Sequence, residues 1–257
     1  MAESTSLVHP KERFYYIIMV IITVLFWLAA ISIVFFSGSF KDKEILFIIA
    51  GYVFLIWLLI FIRKGIIIGY LRGNAVEVTE KQFPNILKAV EEQARRLNVK
   101  QIPTIYILQS GGLLNALATR FLGGSYIILY SEIAEAGLSR SNKALSFILG
   151  HELAHIKRRH ILKRTLVLPS LIIPFLGLAY SRACELTCDR IGVSVSSHEG
   201  AQHGLLMLAG GKMLFNHIDI KEYVINSRKN AGFWQWLAEK LSTHPHIAKR
   251  LSKLFEI

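Results

Sequence analysis

Two stretches of the chain have no polar face. Phe14–Phe36 runs 23 residues without a charge, and Ile45–Ile62 runs 18 more. As helices rising about 1.5 Å per residue, both have the length needed to cross a hydrocarbon core of roughly 30 Å. A helix packed on a soluble core would keep a polar stripe, and neither run has one. The first run is also too long for the core of a signal peptide and has no small-residue cleavage site behind it. The pattern predicts two transmembrane helices, about 14–36 and 45–62, joined by a short turn, Ser37–Glu44. Lys11 and Arg13 precede the first, Arg63, Lys64 and Arg72 follow the second, and Lys41 and Lys43 sit in the turn. That five-to-two bias of basic residues places both outer flanks on the cytoplasmic side.

After residue 72 the pattern turns amphipathic. Ile86, Leu87, Val90, Ala94 and Leu97 repeat at helical spacing. This helix opens either at the capping-box spacing of Thr79-Glu80-Lys81-Gln82 or with Pro84 in its first turn. Thr104–Gln109 is strand-like, and Asn115–Phe121 and Tyr126–Tyr130, parted by Gly123-Gly124, read as a hairpin. Ala144–Lys163 is periodic as a helix, and Thr165–Tyr180 is apolar. The last third is helical, with breaks at Gly210-Gly211 and Thr243-His244-Pro245. The expected fold is α+β and mainly helical: an anchor over 1–72 with two transmembrane helices, then a domain over 73–257 with a small antiparallel sheet.

Composition sharpens this picture. Hydrophobic residues make up 53% of the chain and mean hydropathy is +0.42. The formal charge is +12. Beside long apolar runs, a basic balance points to the anionic surface of a lipid bilayer. No nucleic-acid partner is expected, because no zinc-finger or RNA-binding signature accompanies the charge. Cys184 and Cys188 lie one helical turn apart, a poor geometry for a bridge, so reduced thiols are expected. They read as competing zinc donors or, more commonly, as buried small hydrophobes.

Inside the periodic run stands His151-Glu152-Leu153-Ala154-His155, an HExxH motif. Positions i and i+4 share a helical face, so both imidazoles can meet one zinc ion, with Glu152 beside them as a general base. Alone, the motif also fits a solvated helix by chance. A third donor stands downstream in Glu185-x-x-x-Asp189, where Asp189, one turn on, can accept a hydrogen bond from a ligating histidine's outer nitrogen. Without HExxH the same two residues would read as an ordinary solvated acidic pair.

With these motifs the chain resembles the membrane-anchored zinc metallopeptidases of the HtpX and CAAX-prenyl-protease type, which are gluzincins. The resemblance runs from about Val78 to the end of the chain. It rests on HELAH extended to His160, on Glu185-x-x-x-Asp189, on His244-Pro245-x-x-x-x-Arg250, and on Asn115-Ala116-Leu117-Ala118-Thr119. Cys188 and Leu117 depart from the alanine and phenylalanine usual in the family, and both stay small or apolar. Relatives of the HtpX type carry two membrane spans between HExxH and the glutamate, where this chain has only Thr165–Tyr180. The resemblance implies a gluzincin-type zinc endopeptidase with one Zn2+ per chain, His151, His155 and Glu185 as ligands and Glu152 as base. It implies Asp189 in the outer shell, and His244 and Arg250 stabilising the transition state or ordering the site. Substrates would be proteins or peptides, membrane-embedded or misfolded. Localisation would be integral and multi-pass in a bacterial inner membrane, the catalytic domain facing the cytoplasm.

Asn115 and Ala116 open a segment that reads equally as a substrate-pairing edge strand and as a structural hairpin. Lys157-Arg158-Arg159 follows HELAH at once, which argues against cleavage at the bilayer centre. A non-catalytic protein with a structural zinc would need a fourth protein ligand. Because His155 and Glu185 flank Thr165–Tyr180, a single crossing there would separate them. Sixteen residues rise about 24 Å in all, too short for two spans. Residues 165–180 are therefore expected to fold back, either dipping into the membrane from one face or packing in the soluble core.

Overall fold

The computed structural model describes residues 7–36, 40–109, 111, 115–139 and 142–257. Its first two helices, α1 (Pro10–Phe36) and α2 (Phe40–Asn74), are long and apolar enough to cross a membrane. The expected turn Ser37–Glu44 falls partly outside the described residues, which exclude 37–39 and the side chains of Lys41 and Lys43. Both helices outrun their charge-free cores because their outer ends pack on the rest of the chain. At the start of α1, the His9 backbone N–H donates to Thr187 Oγ1 at 3.0 Å, and Met19 is buried against Val167, Tyr180 and Cys184. At the end of α2, Ile68 and Leu71 are buried against Tyr106, Tyr126 and Ile128. The same body thus holds the first end of α1 and the last end of α2, while the apolar flanks between them stay exposed.

Strand β1 (Val76–Glu77) leads into helix α3 (Pro84–Arg96). Thr79 Oγ1 accepts from the Gln82 N–H at 3.1 Å, closing a turn rather than capping a helix. Pro84 begins α3 instead, where its missing N–H costs nothing. Ile86, Val90 and Ala94 form its buried stripe, continued by Leu97.

Strands β2 (Thr104–Leu108), β3 (Ala116–Phe121) and β4 (Gly124–Tyr130) join β1 in one sheet, ordered β1-β2-β4-β3. The hairpin of β3 and β4 is antiparallel, with Ala116 opposite Leu129. The expected all-antiparallel sheet is corrected to a mixed one: β4 inserts beside β2 and runs parallel to it, Thr104 facing Tyr126 and Leu108 facing Tyr130. Inserting β4 leaves β3 on the sheet edge. Ile105, Ile107, Ile127 and Leu129 point into the main core, and Tyr106, Tyr126 and Ile128 point to α2, as period-two alternation demands.

Helix α4 (Ser131–Ser139) is followed by α5 (Asn142–Lys157), α6 (His160–Leu166), a 3₁₀ turn (Leu168–Ile172) and α7 (Leu176–Val195). The run Ala144–Lys163 breaks into α5 and α6 at Arg159, whose φ is 55°. α5 is buried continuously over Phe147–Ala154, among α3, β3, α4, α7 and α8 (His198–Leu214). It meets α7 closely because each helix places a glycine at the crossing, Gly150 and Gly192. A Cβ on Gly150 would lie 2.7 Å from Val195 Cγ2, and one on Gly192 would lie 3.3 Å from the His151 nitrogen. α8 is broken at Gly211, where φ is 87°. α9 (Ile220–Lys229), α10 (Phe233–Leu241) and α11 (Ile247–Phe255) complete the chain, and Thr243-His244-Pro245 links the last two.

Pro169 and Pro174 divide Thr165–Tyr180 into the end of α6, the 3₁₀ turn and the start of α7. Val167, Ser170 and Tyr180 are buried, whereas Leu166, Ile172, Ile173 and Phe175 are exposed. The segment folds back along α1 with an apolar outer surface.

Candidate metal centre

The crossing of α5 and α7 brings three predicted donors together. His151 Nε2 lies 3.3 Å from His155 Nε2, Glu185 Oε2 lies 3.2 Å from His151 Nε2, and Glu185 Oε1 lies 3.3 Å from His155 Nε2. Zinc–ligand bonds of about 2.0–2.1 Å in tetrahedral array set donor atoms about 3.3 Å apart. The two imidazoles stand at that spacing, and the Glu185 carboxylate meets each of them at the same spacing through a different oxygen. Glu185 Oε2 is buried and makes no hydrogen bond among the described residues, which leaves a lone pair for a cation. His151 and Glu185 are almost inaccessible to solvent, and His155 is partly accessible.

Charge agrees with that fit. Burial alone would raise the Glu185 carboxyl, but His151 and His155 hold it well below the ordinary range. Burial would likewise keep His151 neutral, yet Asp189 and Glu185 push it up to about 10. The pocket thus favours positive charge at the junction of His151 and Glu185. Cys188 also lies near both histidines. It is the poorer third donor: its Sγ faces His160 Nδ1 at 3.7 Å, and burial pushes its thiol well above the usual range, whereas thiolate is the ligating form.

Each histidine is held from behind. His151 Nδ1 lies 3.0 Å from Asp189 Oδ1, and Arg250 grips Asp189 with Nε at 2.8 Å and Nη2 at 2.5 Å. The Arg250 Nη2 atom is also 4.0 Å from Glu185 Oε2. Against burial, Arg250 and His151 keep Asp189 ionised. Glu152 is buried next to His151 on α5. His244 comes from the loop between α10 and α11, exposed, with Nε2 at 3.4 Å from Glu185 Oε1 and Nδ1 at 2.8 Å from Thr243 Oγ1. His151, His155, Glu185, Asp189, His244 and Arg250 therefore gather in one place, with Glu152 one position along α5 from His151. Asn115 and Ala116 lie at the head of edge strand β3, the Asn115 side chain accepting from the Ala116 N–H at 2.9 Å. Farther along β3, Thr119 and Arg120 share a groove with His155 and Lys157.

The sequence model of peptidase family M48 matches residues 80–173 and 167–257, most of the chain. The chain belongs to peptidase family M48. Membership makes it a metallopeptidase, a hydrolase whose substrates are proteins or peptides. No curated protein is similar enough in sequence to match it.

In this M48 chain two contributors were missed in the sequence. His160 counted only as an extension of the motif, yet it is buried and its Nδ1 lies 3.1 Å from His155 Nδ1. Burial holds it neutral, its pKa lowered to about 4. Glu12 comes from α1, and its Oε1 lies 3.2 Å from His160 Nε2 and 2.8 Å from Arg158 Nη2. A carboxylate at the mouth of a predicted span, next to Lys11 and Arg13, was the only available signal for Glu12.

Proposed function

We propose that the chain is a membrane-anchored zinc endopeptidase in which His151, His155 and Glu185 hold the metal and Glu152 is the general base. The observation that carries this reading is the convergence of three donor residues at the α5–α7 crossing, the two imidazoles 3.3 Å apart and the Glu185 carboxylate within 3.2–3.3 Å of each. Zinc, when bound, lowers the pKa of a water toward about 7 and polarises the peptide carbonyl. Glu152 accepts the proton of the attacking water and passes it to the leaving amine. His244 donates to the oxyanion as charge develops there. Asp189, fixed by Arg250, orients His151. An extended substrate pairs with edge strand β3 near Asn115 and Ala116 and follows it along the groove past His155, main-chain pairing tolerating varied sequences.

Residues 1–72 act as the anchor, α1 and α2 crossing the bilayer with their outer ends and the metallopeptidase body, 73–257, on the cytoplasmic side. The five-to-two charge bias and the docking of both outer ends on one body support this topology. Residues 165–180 dip into the membrane from the same side.

The decisive variant is Glu152→Gln. Peptide cleavage of an unfolded protein substrate should vanish while zinc content stays at one per chain, because no ligand is touched. Turnover persisting in this variant would refute the role of Glu152. A second reading draws on His244: its 3.4 Å approach to Glu185 is what a fourth protein ligand would make. Four protein ligands would close the site as a structural zinc. X-ray absorption of the zinc protein separates the two, since three imidazole ligands with no proteolysis would favour the structural site.

A further inference from the structure

The two ligating histidines differ in what holds them from behind. His151 leans on a carboxylate, Asp189, which is the usual arrangement. His155 leans on another imidazole. Its Nδ1 faces His160 Nδ1 at 3.1 Å, and between two ring nitrogens one must donate and the other accept. A histidine that ligates through Nε2 keeps its proton on Nδ1. His160 Nδ1 then accepts, so the His160 proton sits on Nε2, which lies 3.2 Å from Glu12 Oε1. The chain of donors runs in one direction, from His155 to His160 to Glu12, and ends on a carboxylate just as the His151 branch does. Glu12 is 1% exposed and fixed by Arg158 as Asp189 is by Arg250.

Glu12, His160 and Cys184 also lie close enough together to suggest a second cation site. The charges oppose it. Arg158 at 2.8 Å and Lys163 at 4.0 Å already neutralise Glu12. Burial, and the carboxylate of Glu12, hold the Cys184 thiol protonated. The cluster is built to present one acceptor to one imidazole.

We propose that Glu12, acting through His160, is a positioning residue for His155, so that the first helix of the anchor completes the metal centre. The inference rests on the ligand assignment above. It makes α1 part of the enzyme rather than a tether: removing α1 would leave His160 Nε2–H buried without its acceptor and the His155 ring free to turn. It also places the anchor and the metal in one cooperative unit, since outer partners of this kind change metal affinity by about 10–100-fold.

The test uses the full chain in detergent, with zinc affinity measured by chelator competition and the visible spectrum of the cobalt-substituted protein as a second readout. His160→Leu and Glu12→Ala should each weaken zinc binding by about 10–100-fold and alter the cobalt bands. The double variant should be no weaker than either single one, because both cut the same path. Glu12→Gln keeps the shape and an acceptor oxygen, so it should lose less; if Glu12→Ala does not fold, Glu12→Gln and His160→Leu decide. Wild-type affinity and cobalt spectrum in His160→Leu and Glu12→Gln, or additive losses in the double variant, would overturn the proposal. Glu185→Ala, run alongside, tests the ligand assignment itself: zinc bound as tightly as in the wild type there would instead sink the site.

Discussion

Arg250 and Asp189 form a fully buried pair, bidentate and aimed at a ligand histidine. Removing one partner leaves the other charge stranded in the core, at a cost of about 3–5 kcal/mol. Arg250→Leu should therefore lower the melting temperature by many degrees and weaken zinc binding. Lys143→Ala, which breaks an exposed, solvent-screened pair with Glu199, should leave the melting temperature nearly unchanged. Equal melting shifts would contradict the burial argument. His9 gives a second residue-scale expectation. Burial, then Lys253, Arg190 and Lys11, lower its pKa to about 4, with Glu12 opposing. The folded chain thus refuses a proton that the unfolded chain takes up below about 6.5, so stability is full above that pH and is lost as pH falls toward 4. His160 has the same sign. Melting curves between pH 7 and 4 should flatten in part for His9→Gln; an unchanged slope would show that His9 does not titrate this way. HExxH and Glu185-x-x-x-Asp189 were legible because helical spacing converts directly into shared faces. Glu12 was not, since only tertiary packing brings α1 to His160.

At the scale of elements, the metal centre depends on how closely α5 and α7 approach. Gly150 sits where a Cβ would meet Val195 Cγ2 at 2.7 Å and the Gly192 backbone at 3.4 Å. Gly150→Val would overpack this crossing by about 1–3 kcal/mol and push Glu185 away from His151 and His155. The expected result is a lower melting temperature together with weaker zinc binding, read by chelator competition on the folded variant. Zinc affinity unchanged in a folded Gly150→Val chain would mean that the donors tolerate a wider crossing. The helices themselves were legible from apolar periodicity, and the hairpin from Gly123-Gly124. The parallel β2–β4 pair was not, because it joins strands separated by β3, and neither turn chemistry nor alternation specifies a non-neighbouring partner. The split of α5 from α6 was also hidden, since Arg158 and Arg159 are ordinary helix formers and the break is a left-handed Arg159.

In the whole molecule, α1 measures the depth of whatever packs against it. Counting from Phe14, where the charge-free run starts, Met19 and Val20 lie about 8–9 Å farther along the helix. Val167, Leu171 and Tyr180 pack at that level, and Leu166, Ile172, Ile173 and Phe175 face outward around them. The flanks of this segment sit nearer the start of α1. The Lys163 ammonium lies 5.3 Å from the centre of the Tyr16 ring, and Arg182 shares a cleft with Tyr15 while donating to the carbonyls of Glu239, Lys240 and Ser242. Residues 165–180 should therefore enter one leaflet and return. His155 and Glu185, on either side of the segment, are 3.3 Å apart, which a single crossing would forbid. Cysteines introduced at Lys163 and at Ser181, both partly accessible, should react with an impermeant reagent from the cytoplasmic side only, and buried Cys184 and Cys188 add no background. A fluorophore at Ile173 should be quenched by brominated lipid and not by iodide. Iodide quenching at Ile173 with one-sided flanks would keep the anchor and remove the dip. Labelling of the two flanks from opposite sides would break the topology and the ligand set together.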